Sequence, residues 1–596
     1  MAHPTTHCVS ALGLVTLLGV PAVCRASGGP PDSESPALRL ERPDDPYMPP
    51  VESPNAGSSA NVTFGGFISV QVNVNGLGNN VIGDAANEPS IAVDPTAANR
   101  VAIGWRQFDT ILSNFRQAGH SFSRDGGRSW AGKSIIEPGI FRSDPVLAAG
   151  EDGTFYFLSL SIVGPQQDFL NDMFISSDGG ATWPTKHFAF GGDKSWFTID
   201  RTGGIGAGNL YQGWNTAGNE FFPNQFNRST DGGVTWENPV EYDPGPQPAR
   251  PVFGILDVGP DGSVYVAGSA NSFETSTFWV VKSSNAQDSG QTPVFDQITT
   301  VNMGGNLLLA TGPNPAGLLG QVNISVDRSG GPHHGNVYVL CSIDPPGLDP
   351  MDIHFVRSTD GGQTFSAPIR VNNDPGPPFG SHAWQWFGTM SVAPNGRIDV
   401  VWNDARNTAG AVNLFQTFYA FSDDGGLSFQ GNFPMTPVFD SFVGWPQQNK
   451  LGDYYDMISD RVGADLAYAA TFNGEQDVYY LRIGDYDCNG NGVADPDDIA
   501  GLTSGDCNSN DIPDECEIAA GTLADDDGNG IPDVCEVCPW DCQAAPQSGA
   551  VDVPDLLALL AAWGGPQAPG TTCDFDGGGI AVPDLLKLLA NWGPCP

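Results

Sequence analysis

One eight-residue motif recurs five times along the 596-residue chain. It first appears as SRDGGRSW at Ser123, and the later copies are SSDGGATW, STDGGVTW, STDGGQTF and SDDGGLSF, which begin at Ser176, Ser229, Ser358 and Ser422. The Asp side chain can accept hydrogen bonds from backbone N–H groups of its own turn, and Gly supplies the positive φ that a tight turn needs. The final aromatic residue can fill the gap between adjacent sheets. The motif therefore predicts one turn built five times, and hence a repeat protein.

A second pattern interleaves with these turns between about residues 88 and 483. An apolar strand ends near an Asp, a Gly or Asn turn follows, and a second strand often ends in an aromatic residue, as in EPSIAVD with RVAIGW or WFTID with GNLYQGW. We find seven copies, and none is large enough to bury its own apolar face. Repeats of about fifty residues with several short strands each are typical of a β-propeller, so the sequence predicts an all-β fold.

The eight-residue motif resembles the Asp box, S-x-D-x-G-x-[ST]-[WF], of the sialidase and BNR-repeat propellers. In those families the box is the turn between the third and fourth strands of a blade. The resemblance implies that the box carboxylates stabilise turns and are not catalytic; they are Asp125, Asp178, Asp231, Asp360 and Asp424. The stretch VKSSNAQDSG around Asn285 is a candidate for a degenerate sixth box.

The number of blades follows from how the repeats end. Sialidases have six blades, whereas seven repeats favour seven here, with six as the alternative. The seventh repeat closes with QDVYYLRI and lacks an outer strand, which FISVQVNV at residues 67–74 can supply. Pairing the two ends of the domain would remove exposed sheet edges. We therefore expect the propeller to span residues 61–484.

Resemblance to sialidases implies a hydrolase in which three Arg hold a carboxylate, a Tyr with a Glu partner is the nucleophile, and an Asp is the acid/base. The early R-I-P motif of that family is absent, and Arg250-Pro251 is the nearest approximation. Residues that open the innermost strands should point into the central mouth: Glu88, Arg142, Asp144, Lys194, Arg250, Trp386, Asp453 and Tyr454. The candidate catalytic residues are Arg142, Asp144, Arg250 and Tyr454. The alternative is that Asp144, Lys194 and Asp453 only pair with one another.

Two functions are therefore open. The first is a propeller that binds a glycan or protein ligand without hydrolysing it, and the second is an exo-α-sialidase or related glycoside hydrolase. The absent R-I-P motif favours the first. A formal net charge of −43 argues against nucleic acid and anionic membrane surfaces and favours cations as partners.

The N-terminal sequence indicates export. VSALGLVTLLGVPAVC at residues 9–24, followed by RAS, predicts a signal peptide over residues 1–26, with a buried N-terminal strand as the alternative. Residues 27–60 are rich in Pro, Ser and acidic residues and are expected to be a flexible lead-in. No later apolar run is long enough to span a bilayer. Eight of the eleven Cys lie between residues 488 and 595, which predicts disulfides in a secreted or cell-surface protein.

Residues 485–537, which we call the tail, contain three segments that repeat every 19 residues: DCNGNGVADPDD, DCNSNDIPDECE and DDDGNGIPDVCE. Oxygen-bearing side chains at positions 1, 3, 5, 9 and 12 follow the EF-hand order, and the segments resemble thrombospondin type 3 and dockerin calcium loops. The candidate Ca²⁺ ligands are Asp487, Asn489, Asn491, Asp495, Asp498, Asp506, Asn508, Asn510, Asp514, Glu517, Asp525, Asp527, Asn529, Asp533 and Glu536. A solvated acidic linker is the alternative.

Equivalent positions one period apart also suggest how the tail Cys residues pair. Cys488 and Cys507 share one loop position, and Cys516 and Cys535 share another. We therefore expect the disulfides Cys488–Cys507 and Cys516–Cys535.

Residues 538–596, the C-terminal domain, contain a duplication, VPDLLALLAAWG at 553 and VPDLLKLLANWG at 582. Pro in the first turn and Leu at helical spacing predict two short amphipathic helices. The arrangement resembles the dockerin-like domains of bacterial exported proteins, which implies a cell-surface or scaffold partner; a two-helix cap with no partner is the alternative. Its calcium loops are degenerate, since CQAAPQSGA lacks most ligands and DFDGGGIA, with Asp574 and Asp576, is one residue short.

Overall fold

The computed structural model describes residues 45–49, 61–163, 168–215, 221–245, 248–270, 275–375, 383–525, 528, 530–535, 540, 550–563, 573–575 and 579–594. The signal peptide and almost all of the lead-in fall outside these residues. Both remain predictions.

The first half of the described chain forms an N-terminal hairpin followed by four antiparallel sheets. The hairpin consists of β1 (Val62–Phe64) and β2 (Phe67–Gln71). Blade 1 contains β3 (Ala85–Val93), β4 (Val101–Phe108), β5 (Gln117–Ser123) and β6 (Ser134–Ile136). Blade 2 contains β7 (Ser143–Ala149), β8 (Phe155–Val163), β9 (Asp168–Ser176) and β10 (Thr185–Phe188). Blade 3 contains β11 (Asp193–Ile199), β12 (Leu210–Asn215) and β13 (Phe226–Ser229), and blade 4 contains β14 (Leu256–Val258), β15 (Val264–Ser269), β16 (Phe278–Ser283) and β17 (Gln297–Val301).

An inserted hairpin and three further sheets complete the ring. The hairpin is β18 (Leu309–Thr311) with β19 (Asn314–Leu318). Blade 5 contains β20 (Asn323–Val326), β21 (Val337–Ile343), β22 (Asp352–Ser358) and β23 (Ile369–Arg370). Blade 6 contains β24 (Gln385–Val392), β25 (Ile398–Asp404), β26 (Leu414–Ser422) and β27 (Gln430–Pro434), with a 3₁₀ turn at Arg406–Thr408 and the short β28 (Phe439–Asp440) beside β26. Blade 7 contains β29 (Asp456–Ser459), β30 (Gly463–Ala470) and β31 (Asp477–Gly484).

The ring closes as the sequence predicts. Strand β2 pairs with β31, with Val70 opposite Tyr480, so the N-terminal hairpin supplies the outer strands of blade 7. The first and last strands of the domain therefore share one sheet, and no blade edge is left open at the seam. Seven blades are confirmed, and the six-blade alternative is wrong.

All five Asp boxes adopt the same turn. The Ser hydroxyl donates to the box carboxylate over 2.7–2.9 Å in every copy. The backbone N–H four residues after each Asp donates to the same carboxylate over 2.8–3.0 Å. Asn285 takes the Asp place in the degenerate sixth box, where it accepts from Ser283 and from the Val294 N–H. The boxes are therefore turn-stabilising elements, as predicted.

Short helices follow the propeller. The tail contains α1 (Asp495–Gly501), α2 (Asp514–Ala520) and a 3₁₀ turn (Asp533–Cys535). The C-terminal domain contains β32 (Ala550–Val551), α3 (Val553–Ala561), α4 (Val582–Ala590) and β33 (Gly593–Pro594), which confirms the two predicted helices.

The predicted disulfide pairing in the tail is wrong. The bonds join Cys488 to Cys516 and Cys507 to Cys535, each across 28 residues. Cys488, Ile512 and Cys516 form one buried apolar cluster. Each bond therefore ties the start of one loop to the short helix that follows the next loop, rather than joining equivalent positions.

Candidate functional site

The innermost strands share a distortion where they begin, at what we call the strand-start end of the propeller. The registers of β3, β7, β11 and β24 shift there. A residue with positive φ opens the innermost strand of all seven blades: Glu88, Asp144, Lys194, Phe253, Gly320, Phe387 and Gly452. This conformation is rare for residues other than Gly, and a bulge re-aims the side chain that it carries. The bulges bring side chains from different blades together near the axis.

Three carboxylates and three cations form a central charge cluster at this end: Glu88, Asp144, Asp453, Arg106, Lys194 and Lys450. Glu88 lies 3.0 Å from Arg106 and 3.4 Å from Lys450. Asp453 lies 2.5 Å from Lys194 and 2.8 Å from Lys450. None of the six side chains is more than 4% exposed. The formal charges cancel, and the cluster is a buried network of ion pairs.

The inserted β18–β19 hairpin covers the cluster. The Asn314 amide donates to the Gly452 carbonyl over 2.7 Å, and its oxygen accepts from the Leu451 N–H over 2.9 Å. The Leu318 N–H donates to Asp453 over 2.8 Å. Burial raises the pKa of Glu88 to about 7 against the opposing charges of Arg106 and Lys450. The strand-start end is therefore closed by the chain itself.

Tyr454 lies beside the cluster and is 3% exposed. Its hydroxyl donates to the Pro145 carbonyl over 3.0 Å, and its ring packs edge-on against Trp196. Burial, followed by the charge of Glu88, raises the pKa of Tyr454 well above its ordinary value. A phenol held by a backbone carbonyl at high pKa is poorly prepared to act as a nucleophile.

Two of the four catalytic candidates lie outside the cluster. Arg142 forms ion pairs with Glu137 and, over 2.7 Å, with Asp172. Arg250 lies 3.7 Å from Glu241. Both guanidinium groups already have acidic partners, and Glu137 and Glu241 lie in the segments that follow the last strands of blades 1 and 3. Neither guanidinium therefore lies in the central charge cluster, and a role for them in binding an anionic group stays a prediction.

Five of the eight predicted mouth residues do meet: Glu88, Asp144, Lys194, Asp453 and Tyr454. Trp386 does not join them, because it packs against Phe387 and Phe415 in the wall of the ring. Arg106 and Lys450, which lie within β4 and in the loop before β29, were not predicted from the sequence. Neither position carries a repeat signal that could have found it.

An open channel enters the propeller from the opposite end. Val93 pairs with Val101 and Val101 with Ser123, so the innermost strands finish at the end that carries the Asp boxes, which we call the box end. A cavity of about 690 Å³ opens there and is lined by the innermost strands of all seven blades. Its inner limit is aromatic, formed by Trp196, Phe387 and Tyr454. The channel is thus open at the box end and closed at the charge cluster.

Polar groups are set into the apolar wall of this channel. The Gln321 amide nitrogen and the Ser459 hydroxyl are buried and have no hydrogen-bond partner among the described residues. Asp456 accepts from the Ser90 hydroxyl over 2.6 Å and from the Ile91 N–H over 3.0 Å, and burial raises its pKa to about 6. None of these three residues was predicted from the sequence. The sequence feature that could have indicated them is the presence of polar residues within the apolar innermost strands, in GQVNISV at 320–326 and YYDMIS at 454–459.

The first tail loop gathers its predicted ligands. Asp487 accepts from the N–H groups of Asn491 and Gly492 over 3.1 and 2.9 Å. The side-chain amides of Asn489 and Asn491 both reach one oxygen of Asp498, over 3.2 and 2.7 Å. The side chains at positions 3, 5 and 12 of the loop therefore meet, and the carboxylate at position 1 accepts from the loop backbone.

The second loop repeats this arrangement. Asp506 accepts from the N–H groups of Asn510 and Asp511, and Asp511 takes the left-handed conformation that Gly492 has in the first loop. The amides of Asn508 and Asn510 each reach Glu517 over 2.9 Å. Two loops of different sequence thus build one constellation.

The position-9 carboxylates bind the loop backbone. Asp495 accepts from the Cys488 N–H over 2.7 Å, and Asp514 accepts from the Cys507 N–H over 3.0 Å. The second oxygen of Asp495 is buried without a partner among the described residues. A loop rich in carboxylate and amide side chains with one such orphan oxygen fits Ca²⁺, which binds oxygen ligands.

The third loop is described only in part. Asp525 accepts from the N–H groups of Gly528 and Gly530, each over 3.0 Å. Asp533 lies in the 3₁₀ turn. The candidate ligands Asp527, Asn529 and Glu536 lie outside the described residues, as does Asp576 in the C-terminal domain.

The tail contacts the first Asp box, the only copy with Arg at its variable positions. Arg124 donates to the Ala520 carbonyl over 2.9 Å, and Arg100 donates to the Ala519 carbonyl. The guanidinium of Arg128 lies 3.7 Å from the centre of the Tyr486 ring. Cations at the last carbonyls of α2 are favourable because they complement the helix dipole.

These features define a seven-bladed, Asp-box β-propeller with a disulfide-bonded acidic tail. No protein-family profile matches the chain, and no curated protein matches it. Solved structures with a related fold include a Dyadobacter fermentans protein of unknown function, at 15% identity and a TM-score of 0.39, with 72% of this chain and 98% of that chain covered. Trypanosoma rangeli sialidase with the inhibitor DANA shares 11% identity at a TM-score of 0.35 over 72% of this chain and 58% of that chain. A Fusarium graminearum α-L-arabinofuranosidase shares 16% identity at a TM-score of 0.29, with 49% of this chain and 92% of that chain covered.

The helices offer no membrane crossing. Within the described part of the chain, every helix is too short or too polar to traverse a bilayer.

Proposed function

We propose that the protein is an exported β-propeller that binds a glycan or protein ligand and does not hydrolyse it. The closed strand-start end supports this proposal most strongly. A hydrolase of the sialidase type needs an accessible phenol and free guanidinium groups there. In this protein Tyr454 is buried against Pro145, and Arg142 and Arg250 are paired with nearby acids.

One observation favours an exo-α-sialidase or related glycoside hydrolase as the second candidate. Tyr454 lies among carboxylates, with Glu88 and Asp144 near enough to raise its pKa. A Tyr, a Glu and an Asp in one cluster would match the residue types of such an enzyme if the β18–β19 hairpin moved aside.

A panel of fluorogenic glycosides, including a sialoside, separates the two candidates. We expect no release of fluorophore by the wild type above that seen with Tyr454→Phe. The control is Tyr338→Phe, because Tyr338 is a buried tyrosine of blade 5 that lies outside the cluster. Turnover that Tyr454→Phe abolishes and Tyr338→Phe preserves would establish the hydrolase instead.

We also propose that the tail binds Ca²⁺. Asp487, Asn489, Asn491 and Asp498 would hold one ion and the equivalent residues of the second loop another. Bound Ca²⁺ would offset the mutual repulsion of the fifteen carboxylates at residues 485–536, among which there is no Lys or Arg.

Titration calorimetry of the oxidised full-length protein tests the calcium proposal. Wild type should bind Ca²⁺. Asp487→Ala combined with Asp525→Ala should bind less Ca²⁺, because only the second loop stays intact, and should leave the tail more open to protease. Asp497→Ala is the matched control, since Asp497 is an exposed residue of the first loop and is not one of the candidate Ca²⁺ ligands. Equal calcium uptake by wild type and the double variant would refute this assignment.

We further propose that the C-terminal domain anchors the protein to a cell-surface or scaffold partner. The two helices carry equivalent apolar side chains that are 40–61% exposed: Val553, Leu557, Leu560 and Trp563, and Val582, Leu586, Leu589 and Trp592. Leu560→Lys with Leu589→Lys should move the protein from the cell surface into the medium. Leu348→Lys, at an exposed leucine of the propeller, should not. An unchanged distribution for the double variant would refute anchoring.

A further inference from the structure

We infer that the channel at the box end is the ligand site of this propeller and that its ligand is an uncharged sugar. The inference rests on the proposed binding function and deepens it by naming the site and the class of ligand. At about 690 Å³ the channel has the size of a small-molecule site. The channel opens to solvent at the box end, whereas the charge cluster at the other end is sealed.

The inner part of the channel offers an aromatic surface. Trp196 lies at the inner limit and is fixed by its edge-on contact with Tyr454, with ring centres 5.3 Å apart. Phe387, on the bulged strand β24, also lines the channel. A sugar ring presents C–H groups on its faces and hydroxyl groups around its edge. The faces suit aromatic and aliphatic walls, and the edge needs hydrogen-bond partners.

Those partners are present and unused. The Gln321 amide nitrogen is a donor buried with no partner among the described residues, and Gln321 is 4% exposed. The Ser459 hydroxyl is in the same state at 8% exposure. Buried polar groups are normally satisfied, so two orphans in one channel indicate a hydrogen-bonding ligand. Asp456, a half-buried residue of the channel wall, has a carboxylate that accepts from Ser90 and Ile91 and can accept further bonds from ligand hydroxyls.

The charges at the rim indicate that the ligand is uncharged. Arg328 lies 2.7 Å from Asp257, and Arg201 lies 3.7 Å from Glu151 while it donates to the Ala149 carbonyl. These two guanidinium groups already have acidic partners, and Arg461, the third arginine of the lining, is accompanied there by Asp460 and Asp487. The acidic tail also reaches the rim through Asp487, and the net charge of −43 repels anions. A sugar that carries a carboxylate would therefore enter unfavourably.

Calorimetric titration of the full-length protein with cellobiose, maltose, lactose, mannobiose and the anionic sialyllactose tests the inference. We expect binding of at least one neutral disaccharide and none of sialyllactose. Ser391→Trp fills the channel and should abolish binding, whereas Ser134→Trp, at an exposed position of outer strand β6, should bind as the wild type does. Gln321→Leu keeps the packing and removes the amide, and should weaken binding about tenfold.

The outcomes are distinct from those that bear on the proposed function. Binding that survives Ser391→Trp, binding of sialyllactose alone, or no binding of any neutral sugar in the panel would each overturn the inference. None of these results would revive hydrolysis, which the fluorogenic panel tests separately. If Ser391→Trp fails to give the wild-type unfolding transition, Gln321→Leu decides, and unchanged affinity in that variant would overturn the inference.

Discussion

Replacing Lys194 with Met tests whether the strand-start end is sealed. The Lys194 ammonium lies 2.5 Å from Asp453 and 3.8 Å from Asp144, and its side chain is 4% exposed. Met has a similar length and no charge, so the variant leaves three buried carboxylates facing two cations. Breaking a buried ion pair costs about 3–5 kcal/mol. Because Lys450 still lies 2.8 Å from Asp453, we expect the lower value, about 3 kcal/mol.

Urea unfolding followed by Trp fluorescence measures this loss as a change in midpoint at constant slope. The matched control is Lys186→Met, which removes a lysine that is 45% exposed and paired with Glu137, and should cost less than about 1 kcal/mol. Adding Asp453→Asn to Lys194→Met restores the charge balance, so the double variant should lose less than the two single losses combined. A Lys194→Met variant within about 0.5 kcal/mol of the wild type would show that water reaches these charges, and the sealed end would be refuted.

Three further predictions follow from the boxes, the buried acids and the tail. Hydrogen bonds from the Thr and Ser of its box lower the pKa of Asp360 to about 2; since the carboxylate is largely exposed, Asp360→Ala should cost only about 1 kcal/mol, and an unchanged urea midpoint would contradict the role of the box. Burial raises the pKa of Glu88, Asp456 and Asp477 to about 7, 6 and 7, so the folded state binds more protons than the unfolded state above pH 4. His120 acts in the opposite direction, because burial lowers its pKa to about 4 and it stays neutral in the folded state. Since the three acids outnumber it, the melting temperature in EGTA should fall as the pH rises from 4 to 7. A rise of the melting temperature across that window would refute the prediction. Arg124→Ala should speed protease cleavage of the tail without lowering the propeller melting temperature, and unchanged cleavage would show that this contact does not hold the tail.

The sequence predicted the propeller because its repeats are local. Each box contains its own donors and acceptor, so SRDGGRSW and its copies specify the turn without help from the rest of the chain. The outer strand at residues 67–74 could be assigned to the last blade because one repeat lacked a strand and a closed ring needs one. The two C-terminal helices followed from the Pro in the first turn and the Leu spacing of each copy.

The site was harder to predict because bulges break the alternation of side chains. Arg142 and Asp144 are two residues apart and would share a face of a regular strand. The register shift between Ser143 and Val146 turns Asp144 toward Lys194 and leaves Arg142 beside Asp172.

Contacts distant in sequence were equally hidden. Lys450 meets Glu88 across the ring closure. Cys488 pairs with Cys516 because packing around Ile512, and not loop period, brings them together.

A crystal soaked with each neutral disaccharide of the panel tests the central claim most directly, because it shows which end of the propeller admits a ligand. The account predicts density for a sugar inside the box-end channel, against Trp196 and within hydrogen-bond distance of Gln321, with Tyr454 still bonded to Pro145. A sugar bound at the strand-start end, among Asp144, Lys194 and a displaced β18–β19 hairpin, would contradict it.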